Sequence, residues 1–148
     1  MDQPDWHTAA VSSVDVVDET FLVVSPRSLA VIFADPERCR QFWPDLRLTV
    51  YADRGDQGLR WTVHGALVGT MEVWLEPVLD GTLLHYYLRA DPVGRDGSAQ
   101  PLPPRAAAAE VRRRQLAAKR LAFALKEEVE GDREIGMPPR RLTNNRHG

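Results

Sequence analysis

The sequence predicts an α+β domain in which a curled antiparallel sheet of about five strands wraps onto a long C-terminal helix, with two short helices after the first strand. Three observations predict it. Apolar and polar residues alternate with a period of two through successive short segments between residues 46 and 89, the pattern of an antiparallel sheet with one wet face. From Arg105 to Glu130 there is neither proline nor glycine, and Ala, Arg, Leu, Lys and Glu dominate, which favours one uninterrupted helix. Ser25-Pro26 and Asp35-Pro36 each place a capping side chain before a proline, the start signal of a helix.

In chain order, residues 1–11 lack periodicity and read as a flexible leader. Residues 12–24 (SSVDVVDETFLVV) are rich in β-branched and aromatic side chains and read as a strand with a bend near Asp18-Glu19. The first helix runs from Pro26 to Phe33. The second starts at Pro36 with Glu37 in its first turn, where a carboxylate suits the helix dipole. It must stop near Trp43, because Pro44 disfavours helix at the residue before it. Leu46, Leu48 and Val50 then alternate with Arg47, Thr49 and Tyr51, and a turn cluster follows at residues 53–58. Leu59, Trp61 and Val63 alternate with Arg60, Thr62 and His64. Gly65 to Gly69 reads as a bend or short bulge. Met71, Val73 and Leu75 alternate with Glu72, Trp74 and Glu76, and Asp80-Gly81 is a hairpin signal. Leu84, Tyr86 and Leu88 form the inner set of the last strand, placed beside the first, with His85, Tyr87 and Arg89 on the other side. Residues 91–104 hold four prolines and two glycines and read as a long mobile loop. The helix 105–130 carries an apolar stripe of Ala107, Val111, Ala118, Leu121, Ala122, Leu125 and Val129, and Gly131 ends it. The domain is therefore placed at 12–131, with 132–148 as a disordered tail.

Composition bounds the function. An apolar fraction of 43% and a charged fraction of 27% are ordinary for a globular domain. No apolar run reaches the roughly 18–20 residues of a membrane span, so membrane insertion is not expected. The acidic opening Met1-Asp2-Gln3-Pro4-Asp5 is unlike a secretory signal, and one cysteine, Cys39, provides neither a disulfide framework nor a metal quartet. Cytoplasmic location is the default. The net charge of −2 is unevenly spread, with the acidic excess before residue 105 and a basic excess after it. Arg112-Arg113-Arg114 with Lys119-Arg120 lacks interleaved aromatics, so a solvated helix face facing an acidic sheet is preferred to a nucleic-acid partner.

The order of elements, with Val23-Val24-Ser25-Pro26 leading into Leu29-Ala30-Val31-Ile32-Phe33, then Ala34-Asp35-Pro36-Glu37-Arg38 and Phe42-Trp43-Pro44, and later Gly69 to Pro77 with Asp80-Gly81-Thr82, resembles the START-like superfamily. This is also called helix-grip, SRPBCC or birch-pollen-allergen-like. Within it the likeness is to the small bacterial polyketide cyclase/dehydrase-like, lipid-transport-like proteins. The resemblance spans roughly residues 14–130 and implies an apolar cavity between sheet and long helix. Family members usually place six strands between the second helix and the long one; here there are four, so a hairpin is missing from the wall of that cavity.

The residues themselves point the same way. A sheet with one apolar face must bury it, so Trp61, Val63, Met71, Val73, Leu84, Tyr86 and Leu88 are expected to face Ala118, Leu121, Ala122 and Leu125. Small residues on the helix stripe either allow close contact or leave room for a ligand. Trp61 and Tyr86 each need a polar partner if buried, which a ligand oxygen could supply. Arg114 falls inside the stripe and could cap the cavity or pair with a ligand carboxylate.

For catalysis the chain offers little. His7 and His147 fall in the terminal segments, and His64 and His85 fall on the outer sheet face, across from Glu72 or Glu76. Cys39 sits between Arg38 and Arg40, which could lower its pKa, but a lone helical cysteine is expected to be inert. No nucleophile elbow, HExxH, CxxC or phosphate-cradling loop is present, and no cofactor is implied. The leading expectation is a domain that carries a lipid- or polyketide-like apolar small molecule. The alternatives are a cyclase/aromatase-type enzyme, and a cavity-less interaction domain that forms a homodimer through the sheet face bearing Trp74, Tyr87 and Tyr51.

Overall fold

The computed structural model describes residues 11–131; the expected leader up to residue 10 and the tail 132–148 lie outside the described residues. The elements are β1 (Val14–Leu22), α1 (Pro26–Phe33), α2 (Pro36–Phe42), β2 (Leu46–Asp53), a single 3-10 turn (Gly55–Gln57), β3 (Gly58–Gly65), β4 (Leu67–Val78), β5 (Gly81–Pro92) and α3 (Pro104–Glu130). One antiparallel five-stranded sheet has the order β1-β5-β4-β3-β2. The first strand lies beside the last, with Val14 opposite Ala90 and Leu22 opposite Thr82.

Local chemistry sets the helix ends. Ser25 Oγ accepts from the Ser28 N–H at 3.2 Å, and Asp35 Oδ1 accepts from the Glu37 N–H at 2.9 Å. Each satisfies a backbone donor that the first helical turn cannot. Pro44 ends α2, leaving Trp43 at φ −131°, ψ 73°.

The strands run differently from the sequence pattern in three places. β1 pairs without interruption from 14 to 22, so there is no bend at Asp18-Glu19. The bend expected over residues 65–69 is confined to Gly65-Ala66, and β4 pairs from Leu67 onward. Gly69 is there because a side chain would strike the Arg89 carbonyl and Ala90 on β5, so glycine permits close strand contact rather than a bulge. The bulge lies in β2 instead, between Val50 and Ala52. The expected mobile loop after residue 91 is largely ordered: β5 continues to Pro92, and a small hairpin closes through Gly94 N–H to Ser98 O at 2.8 Å and Gln100 N–H to Pro92 O at 2.8 Å.

The inner face of the sheet is covered by two bodies, not one. The second half of α3 buries Ala118, Ala122, Leu125 and Val129 and lies chiefly along β1. Its first half buries no residue, so it does not cover β2 and β3. That part of the sheet is closed by α1, α2 and the ring of Trp43. The two lysines of the chain fasten α3 to β1. Lys119 Nζ reaches Asp18 Oδ1 at 2.9 Å and Glu19 O at 3.1 Å, and Lys126 Nζ reaches Phe21 O at 3.0 Å.

Candidate functional site

The interior was expected to hold a ligand between sheet and α3. Val73, Leu84, Tyr86, Ala118, Leu121 and Ala122 do converge there, but the gap they share with Phe33, Trp43 and Asp18 is only about 10 Å3. That is about the space of one water. Val63, Met71, Leu88 and Leu125 are packed core.

What fills the space is Trp43. Because Pro44 forces it out of the helix, its indole turns inward and lies parallel to the Tyr86 ring, with centroids 6.0 Å apart and planes at 10°. It also meets Trp61 at 5.9 Å, Phe33 at 6.3 Å and Phe42 at 5.6 Å. Burial drives the Tyr86 phenol well above its ordinary pKa, opposed by the Arg114 charge and by a hydrogen bond from Trp43. Tyr86 is thus a neutral, protein-partnered phenol. Arg114 is likewise already engaged: its guanidinium holds Asp45 at 3.2 and 2.6 Å and Glu110 at 3.0 Å. It does not cap a cavity. It ties the first half of α3, which has no fully buried residue, to the link before β2, and its hydrogen bonds hold the Asp45 carboxyl below the usual carboxylate range.

Room exists on the other side of Phe33. A groove of about 490 Å3 runs between α2 and β2. Trp61 is its floor, Phe33, Pro36, Cys39 and Pro44 form one wall, and Leu46, Leu48 and Val50 the other, with Arg40 and Arg47 at the rim. It exists because α3 lies chiefly along β1 and leaves the inner-facing residues of β2 uncovered. Of the residues expected from sequence to bind, only Trp61 lines it. The others were missed because alternation identifies an inner face but not which helix covers it. Pro44 beside Trp43 was the available signal.

Cys39, in the groove wall, donates its S–H to Phe33 O at 3.2 Å. Burial pushes the thiol up to about 11, with Asp35 adding and Arg38 and Arg40 opposing. The expected lowering by the flanking arginines is therefore outweighed, and the thiol is not a nucleophile at neutral pH. His85 lies on the outer sheet face, as expected, with Nε2 2.8 Å from Glu76 Oε1. Its ring is sandwiched between Trp74 at 4.2 Å and Tyr87 at 6.2 Å, leaving it 4% exposed. This pair is on the opposite side of the sheet from the groove, and His64 is exposed. Among the described residues no group of three or more His, Cys, Asp or Glu could hold a metal ion, and no helix is long and apolar enough to cross a membrane.

This architecture, a curled antiparallel sheet closed by a long C-terminal helix with two short helices after the first strand, is the helix-grip fold. A solved structure shares it. The chain is similar to the Aha1 dimer from Colwellia psychrerythraea, with a TM-score of 0.53 at 13% identity over 76% of this chain and 96% of that one. Looser likenesses are to DR_A0006 from Deinococcus radiodurans (TM-score 0.48, 14% identity, 70% and 98% covered) and to Ara h 8.0201 (0.45, 15%, 77% and 94%). No family profile matches the chain, and no curated protein matches it.

Proposed function

We propose that the protein binds and carries an apolar small molecule with an anionic end, held in the groove between α2 and β2. The observation that carries this reading is the groove itself. It offers about 490 Å3 with an apolar floor and walls, while the sheet–helix gap offers about 10 Å3. A volume of that size suits a lipid- or polyketide-like ligand. Arg40 and Arg47 at the rim supply the charge for a carboxylate. No acid/base pair lines the groove, so binding is favoured over a cyclase reaction. The single buried thiol suits a reducing compartment, and the reading places the carrier in the cytoplasm.

The test is titration with a dansyl-labelled fatty acid and with its methyl ester. The acid should bind at micromolar strength and the ester more weakly. Val50→Asp, at a position already half exposed, should weaken both by at least about tenfold, or about 1.4 kcal/mol. Arg47→Glu should weaken the acid alone, and Phe123→Asp on the outer surface of α3 should change neither. Wild-type protein that takes up neither probe, or Val50→Asp that binds both unchanged, overturns the reading.

A further inference from the structure

The outer face of the sheet, opposite the groove, carries features that ligand binding does not use. Val17 is 49% exposed at one flank and Tyr51 54% exposed at the other. Between them Trp74, His85 and Tyr87 stack into one column across β4 and β5, with interplanar angles of 16° and 3°. Beside the column lies a hollow of about 480 Å3 whose lining includes Tyr51, Arg54, Arg60, Trp74 and Tyr87.

The charges on this face are segregated. Toward β1, His85 stands between two carboxylates, 2.8 Å from Glu76 and 3.3 Å from Glu19. That cluster keeps a net negative charge whether or not the ring is protonated. Toward β2 and β3, Arg54 and Arg60 share one carboxylate, Glu72, at 2.8 and 3.2 Å, which leaves a net positive charge. Asp15, Glu19, Glu72 and Glu76 offset Arg54, Arg60 and Arg89 across the face as a whole, so it lacks the basic excess that nucleic acid or an anionic membrane attracts.

Strand register turns this segregation into self-complementarity. Glu19 is opposite His85, His85 opposite Trp74, and Trp74 opposite Gly58, whose carbonyl accepts from the Arg54 N–H at 2.9 Å. Glu19 and Arg54 are thus the two ends of one row, with Trp74 at its middle. In the neighbouring row Val17 is opposite Tyr87, Tyr87 opposite Glu72, and Glu72 opposite Arg60, next to the bulge that holds Tyr51. A two-fold axis lying along β4 exchanges the ends of each row.

We propose that this face is a homodimer interface in which β1 of one copy lies over the β2–β3 side of a second copy, about a two-fold axis running along the strands. Glu19 then meets the partner's Arg54, Tyr87 meets the partner's Arg60, and Val17 meets the partner's Tyr51, with the two Trp74 rings at the axis. A self-complementary patch of this kind is what a two-fold contact requires. Five strands about 4.8 Å apart, the shortest of 8 residues, give a face of at least roughly 24 by 27 Å, on the scale of the ~800 Å2 per partner of a standard interface. The proposal is independent of the ligand groove, which faces the other way.

Sedimentation velocity on the full chain tests it. The wild-type protein should sediment as a dimer at tens of micromolar. Glu19→Arg and Arg54→Glu should each sediment as monomers, because each sets like charges against each other twice. An equimolar mixture of the two variants should recover the dimer, since both cross-interface pairs become Arg–Glu again. Val17→Asp, at an exposed position, should also give a monomer, and circular dichroism melts show which variants remain folded. A wild-type monomer, or folded charge variants whose mixture stays monomeric, overturns the proposal. So does a monomer that binds single-stranded RNA or anionic vesicles through this face.

Discussion

Replacing Trp43 with alanine tests whether one side chain closes the interior. The indole is buried and touches four aromatic rings. Burying an aromatic side chain removes about 150–250 Å2 from water, which at about 25 cal/mol/Å2 is worth roughly 4–6 kcal/mol. A compact unfolded chain lowers that by about 10–40%, leaving about 3–5 kcal/mol, the range seen for Trp→Ala in cores. The void would open the 10 Å3 gap beside Ala118 and Ala122 to the groove across Phe33. Trp43→Ala should therefore lose about 3–5 kcal/mol in urea denaturation, and free indole should restore part of it by refilling the space. At indole a hundredfold above its Kd, the recovery is about 2.7 kcal/mol. A loss below about 1 kcal/mol, with no shift on adding indole, would show that something other than Trp43 occupies the interior.

Three further outcomes follow from the packing. Ala122→Phe should cost about 1–3 kcal/mol by overpacking while leaving probe binding in the groove intact, measured by urea melts and the same titration. Arg114→Ala should speed hydrogen exchange over residues 104–114, since no fully buried side chain holds that half of α3 and Val111 is only partly buried, and cost about 1–2 kcal/mol, between an exposed and a buried pair. Because Asp45 is held below the usual carboxylate range by Arg114, the pair's stabilisation is present at neutral pH and lost as the pH falls below that range; the variant should show a flatter acid limb. Cys39, its thiol pushed up to about 11, should react with a disulfide reagent at pH 8 far more slowly than in urea, and more slowly again with the fatty-acid probe bound. Reaction as fast as in urea would place the thiol outside the core.

The order of elements was legible because it rests on local chemistry: prolines after capping side chains, period-two alternation, and a helix free of glycine. The candidate site was legible only in part. Alternation placed Trp61, Val73 and Tyr86 correctly on the inner face. Nothing local says that α3 lies along β1 and leaves the rest of the face to α2, because that depends on long-range ties such as Arg114 to Asp45 and Lys119 to Asp18. The same limit explains Gly69, which looked like a bulge in its own strand and is instead a point of approach for the next. His85 shows the converse: its pairing across strands with Glu76 follows from register, but its burial depends on Trp74 and Tyr87 flanking it together.

The pairing of β1 with β5 has a consequence for how the chain is made. On a ribosome the strand that emerges first is among the last to find its place. The meander of β2, β3 and β4 can assemble from neighbours, whereas β1 has no partner until Gly81–Pro92 has been synthesised. It is fastened by Lys119 and Lys126 later still. Closure between such distant segments slows folding and leaves a lone strand at risk of joining the wrong chain. Asp15, Asp18 and Glu19 along β1 are the kind of charges that discourage that error. Carboxylates that later meet His85 and Lys119 thus serve the nascent protein before they serve the finished one.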